Sequence, residues 1–141
     1  MIEEVQEVNE VEVVEVDDNA EFQLDQADIT LYALLGSPSP GTMRVLGQIK
    51  GHWLVILLDT GSSHNFFDFV LVNSLQLAMD TTRILEVRVA NRDLIRTKGE
   101  CKDLLIKMQG KDFLVDLHVL TLGDCDVVLG TQWLSTLGQI N

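Results

Sequence analysis

Reactive side chains are sparse in this sequence, and one short run stands out: Leu57-Leu58-Asp59-Thr60-Gly61-Ser62-Ser63, which follows the apolar stretch Trp53–Leu58. A carboxylate there closes a wholly apolar run and opens a string of turn-forming residues. Asp is seldom fully buried unless its oxygens are satisfied, so the position needs a reason. One reason is local: a turn-initiating Asp bonds its own backbone. The other is chemical, because a partly desolvated carboxylate can take up and return a proton. A second compact run, Val128-Leu129-Gly130 followed by Thr131-Gln132-Trp133-Leu134, has the same pattern of apolar residues meeting a glycine.

The other candidates offer less. His52, His64 and His118 do not fall at metal-ligand spacing and read as structural. Cys101 and Cys125 are too few for a disulfide framework and read as reduced thiols in a cytoplasmic compartment. Ser63-His64 is not expected to be a nucleophile–base pair, since chain neighbours rarely align for proton transfer and no orienting acid is indicated. Asp124-Cys125-Asp126 has the Asp-x-Asp spacing of phosphate transfer, without the βα units on which that chemistry is built. No glycine-rich phosphate loop is present. No metal or cofactor is called for.

The elements that must position Asp59 are short and mostly extended. Ile29–Leu35 is an apolar, β-prone run closed by a loop over 36–41 that holds both prolines. Met43–Lys50 alternates, Gly51-His52 makes a turn, and Trp53–Leu58 reads as a strand buried on both faces. Phe67–Met79 is the best helix candidate. Ile84–Ala90, Leu94–Thr97, Cys101–Gln109 and Lys111–Leu122 read as further strands, the last two hinged at Gly110. Val127–Leu129 is a short buried strand, and Thr131–Leu137 forms a last helical turn or two. Trp53 and Trp133 are expected as core or interface anchors. Many short strands with one or two short helices predict an all-β domain, of closed-barrel type or a sandwich.

Charge divides the chain. Of the 22 acidic residues, 11 lie within 1–28, where there is no Lys or Arg, so a net charge of −12 leaves only −1 for residues 29–141. Residues 1–28 are therefore expected to be a solvated, disordered acidic tail or linker, and 29–141 the folded domain. A nearly neutral domain offers no basic face to nucleic acid. No apolar run is long enough to span a bilayer, and the acidic start is unlike a secretory signal.

Taken in order along the chain, the segments 53–66 and 124–138 resemble the retropepsin-like aspartic proteases, most nearly those of plant gypsy-class long-terminal-repeat retrotransposon polyproteins. The family signature of two apolar residues, Asp, Thr or Ser, Gly, then Ser or Ala stands here as Leu57-Leu58-Asp59-Thr60-Gly61-Ser62. The second signature stands as Val128-Leu129-Gly130 before a C-terminal helix. The resemblance covers roughly 29–140 and implies a closed-barrel fold, aspartic endopeptidase activity without a cofactor, and polyprotein substrates. Two carboxylates sharing one proton can activate water and protonate a carbonyl, because mutual repulsion splits their titrations. One chain supplies one such Asp, so the resemblance implies a homodimer with an Asp59 from each copy.

By the same resemblance Asp59, Thr60 and Gly61 form the catalytic turn, with Thr60 bonding across the twofold axis and Gly61 leaving room for close approach. Ser62 either donates to the carboxylate or caps a following helix. Ser62, Ala90, Asn91, Arg92 and Val128 would contact substrate. A flap would span Val87–Thr97 with its tip at Ala90-Asn91-Arg92-Asp93, where Arg92 takes a place often held by glycine. A flap that is stiffer or differently turned would follow, with an exposed Arg92 favouring acidic substrate positions. Relatives usually continue past the C-terminal helix with an interface strand, whereas this sequence stops at Gln139-Ile140-Asn141. Weak dimerisation is therefore expected, and a catalytically inactive dimerisation or binding domain is the alternative.

Overall fold

In the computed structural model, the described residues are 24–36, 39, 41–89 and 93–137. Residues 1–23 of the expected acidic tail, Ala90, Asn91 and Arg92 of the expected flap tip, and residues 138–141 lie outside them. Among the described residues, nine strands and three short helices follow one another. They are β1 (Gln26–Ile29), α1 (Leu31–Leu35), β2 (Thr42–Ile49), β3 (His52–Asp59), β4 (Phe66–Asp68) and α2 (Phe69–Ser74), then β5 (Glu86–Val89), β6 (Leu94–Arg96), β7 (Gly99–Met108), β8 (Lys111–Leu120), β9 (Val127–Leu129) and α3 (Thr131–Leu137). Six strands close a barrel in the order β2-β3-β9-β4-β8-β7, and β1, β5 and β6 make a separate three-stranded sheet. The domain is mostly β with a closed barrel, as the short strands predict.

Period-2 alternation explains both layers. Leu54 and Ile56 of β3, Phe67 of β4, and Val127 and Leu129 of β9 join Ile49, Ile106, Leu117 and Trp133 in the core that fills the barrel. Their chain neighbours Leu57, Phe66 and Val128 face the other way, into a second core with Ala27, Ile29, Val87, Val89 and Leu120. Each fully buried Leu, Ile or Phe contributes about 1.5–3 kcal/mol, so one strand feeding two cores fixes its register firmly. Two-sided burial in β3 is confined to its centre, for Trp53 at the open end is 67% exposed. It anchors no core, whereas Trp133 is buried and meets Phe113 edge-on at 5.3 Å.

Several elements depart from the sequence expectation, each for a physical reason. The β2–β3 turn falls one residue early, on Lys50 and Gly51, both at positive φ (52° and 79°). That pair gives the primed turn that suits the twist of a two-residue hairpin. The run Ile29–Leu35 is strand only at Ile29: Thr30 accepts from the Ala33 amide at 3.0 Å as an N-cap, and Gly36 ends α1 in the left-handed region. The helix expected over Phe67–Met79 is cut to Phe69–Ser74, because Phe66 and Phe67 are both fully buried in opposite cores, which only an extended backbone allows. Finally, β1 contains Gln26–Asp28, three residues assigned to the acidic tail. They pair in parallel with β5 from Gln26↔Glu86 to Ile29↔Val89. Among the described residues no helix is long and apolar enough to cross a membrane.

Candidate active site

Asp59 is the last residue of β3, a strand held on one side by antiparallel β2 and on the other by parallel β9. Its side chain is 2% exposed. Burial is tolerable because donors converge on it: the Gly61 amide on Oδ1 at 3.0 Å, and the hydroxyls of Ser62 and Thr30 on Oδ2, each at 2.7 Å. The bond from Gly61 makes Asp59 a turn-initiating residue of the expected kind. The bonds to Oδ2 are not part of a turn.

Ser62 is fully buried and its hydroxyl donates to Asp59, so of its two expected roles the capping one is excluded; the next helix starts only at Phe69. Gly61 meets Thr30 so closely that an added Cβ would lie 2.5 Å from Thr30 Cγ2. Thr60 is exposed, and within one chain its hydroxyl donates to the Gly41 carbonyl at 3.3 Å. Val128, expected to touch substrate, has no exposed surface: β9 lies between β3 and β4, and the Val128 side chain packs in the second core.

The two sequence signatures are bonded to each other. The amides of Thr131 and Gln132, at the start of α3, donate to the carbonyls of Ser62 and Ser63 at 2.8 and 3.1 Å. Asn65, 3% exposed, accepts from the Gly130 amide at 3.0 Å and donates to the Asp116 carbonyl at 3.3 Å. Gly130 has no room for a side chain, since a Cβ would fall 2.4 Å from both the Ser62 and His64 carbonyl oxygens. The loop after Asp59 thus takes its shape from β9 and α3.

Sequence reasoning missed Thr30, Ser63 and Asn65. A Thr at the head of LYALL is an N-cap signal, but nothing local reports that its hydroxyl also reaches a carboxylate 29 positions away. Ser63 and His64 do align, with Oγ 2.7 Å from Nδ1, contrary to expectation. The same Oγ accepts from the Asp28 amide at 2.8 Å, so it serves the backbone of β1. Burial lowers the His64 pKa, with Asp28 and Asp25 opposing.

Beside this loop lies a polar cavity of about 450 Å³ lined by residues including Asp25, His64, Arg83, Glu100, His118 and Gln132. His118 Nε2 is 3.8 Å from Glu100, and the rings of His64 and His118 meet edge-on at 5.5 Å. Burial, then the neighbouring His64, pushes His118 down to about 4, while burial and Asp116 raise Glu100. Among the described residues no three His, Cys, Asp or Glu gather as a metal site.

The chain is similar to known proteins at two levels. In three dimensions it resembles the crystal structure of the retroviral protease-like domain of Ddi1 from Leishmania major, with a TM-score of 0.54 and 12% identity over 67% of this chain and 76% of that one. At that identity the likeness shows the fold alone. No curated protein matches the chain. The sequence model of the retroviral aspartyl protease family matches residues 39–140, a span that takes in both the Asp59 turn and the Gly130 turn bonded to it, and the chain therefore belongs to that family.

Proposed function

We propose that this domain is an aspartic endopeptidase that acts as a homodimer, with Asp59 of each copy as the catalytic pair and Thr60 and Gly61 completing each turn. The single observation that carries this reading is the Asp59 carboxylate itself: buried at a strand end, fixed by Gly61 and Ser62, and followed by an exposed Thr60. Backbone and hydroxyl donors hold such a carboxylate in one fixed geometry, as a catalytic group requires.

In the dimer one carboxylate takes a proton from water as its oxygen bonds to the peptide carbonyl carbon. The other carboxyl gives its proton to the carbonyl oxygen. The diol then collapses, the C–N bond breaks, and the nitrogen leaves with a proton, restoring one shared proton to the pair. No metal takes part. Ser62 holds the carboxylate, while Ala90, Asn91 and Arg92 belong to a flap over the substrate. Polyprotein precursors are the proposed substrates, a plant gypsy-class retrotransposon the proposed origin, and the cytoplasm the proposed compartment.

Cleavage of a peptide library at mildly acidic pH, with and without Asp59→Asn, tests the reading. Loss of cleavage in the variant supports it; equal cleavage by both proteins ends it. Sedimentation at the assay concentration should show a dimer, since a monomer cannot bring two Asp59 side chains together.

A further inference from the structure

The barrel closes without β1, β5 or β6, and β1 makes backbone hydrogen bonds along both edges. On one edge it adds to β5, beginning with the Glu86 amide on the Asp25 carbonyl at 3.0 Å. On the other, the Asp28 amide donates to Ser63 Oγ at 2.8 Å, the Asp28 carbonyl accepts from the Ser63 amide at 2.9 Å, and the Thr30 amide donates to Ser62 Oγ at 3.3 Å. Backbone bonds of this kind serve any extended polypeptide. The segment ends with the Thr30 hydroxyl 2.7 Å from Asp59 Oδ2, where a reacting group would have to stand.

We propose that Gln26–Thr30 is an intramolecular occupant of the peptide cleft, a strap that keeps Asp59 closed until an extended polypeptide displaces it. The proposal rests on the protease reading above. It also names what displaces the strap. Ala27 and Ile29 are 3% and 2% exposed and pack in the core that holds Leu57, Phe66, Val87 and Val128. Between them Asp28 turns outward to Arg88 Nε at 2.9 Å. A competing substrate therefore carries a small apolar residue and, two positions on, a branched apolar one. Val128 belongs to the same core and is fully buried in this chain.

The test compares the full chain with Thr30→Val, which removes the hydroxyl from Asp59, and Ile29→Asp, which expels the strap from its core. The probe is a statine-containing peptide with alanine and isoleucine at alternate positions, titrated by calorimetry, alongside hydrogen exchange at the Ser63 and Glu86 amides. Losing a hydrogen bond to a carboxylate corresponds to about tenfold or more in a competing equilibrium, so Thr30→Val should bind the probe about tenfold more tightly and exchange faster at both amides. Ile29→Asp should exceed it; if that variant does not fold, Thr30→Val decides alone. Equal, measurable affinity in all folded forms would overturn the strap and leave the protease reading standing. Absence of both binding and cleavage in every form would overturn the protease reading, and the strap with it.

Discussion

Asn65 is the strongest test of how the Asp59 loop is held. Replacing it with Ala removes the acceptor for the Gly130 amide at 3.0 Å and the donors for the Asp116 carbonyl at 3.3 Å and Gln132 Oε1 at 3.5 Å. The Gly130 amide is left buried without a partner, at a cost of about 1–3 kcal/mol, and the two longer bonds add about 1 kcal/mol together. The expected loss is about 2–4 kcal/mol, which in urea lowers the unfolding midpoint by about 1–2 M at unchanged slope. The control is Gln132→Ala, which breaks only the longest bond at the edge of the site and should stay within about 0.5 kcal/mol. Equilibrium unfolding by tryptophan fluorescence reads both. If Asn65→Ala falls within the range of its control, the carboxamide does not join the two signatures, and the account of the loop fails.

Gly130→Ala should cost about 3 kcal/mol, because its Cβ meets two carbonyl oxygens at 2.4 Å, whereas Gly51→Ala, with open space but φ at 79°, should cost about 1 kcal/mol; the same unfolding assay ranks them, and a reversed order would refute the packing argument. His118 is depressed from 6.5 to about 4, so the stability it contributes is present above pH 6.5 and lost as pH falls through 4. That shift sets a ceiling of about 3 kcal/mol, reduced to about 2 kcal/mol by solvent screening through the adjoining cavity. Lowered His64 adds to the loss, and raised Glu100, which gains stability as it takes up its proton, offsets part of it; a His118→Phe variant should show a flatter stability profile from pH 6.5 to 4, and an unchanged profile would refute the assignment. Cys101 and Cys125 are buried with thiols pushed up to about 11, so iodoacetamide at pH 8 should label neither before unfolding and both after it; mass spectrometry of the native protein decides.

The barrel was legible where pattern and fold share a period. The β2–β3 and β7–β8 hairpins follow from alternating runs separated by turn residues, and α3 follows Gly130 as expected. Reading failed where a residue's partner lay far along the chain. Phe66-Phe67-Asp68 looks helical beside the apolar residues after it, but two separate cores claim the adjacent rings. Gln26–Asp28 looks like an acidic tail because its composition continues that of the preceding residues, yet pairing with β5 and bonds from Ser63 order it.

The sequence by itself determined the carboxylate, its glycine turn and the apolar strand beneath it, because those depend on residues within one turn of the chain. Only the tertiary structure decided what faces the carboxylate. Thr30 reaches the carboxylate because β1 lies along the edge of β5, and Asn65 and Gly130 hold the loop after it because barrel closure brings β9 beside β3. Hydrogen-bond partners set by strand pairing leave no local trace in the residues that supply them.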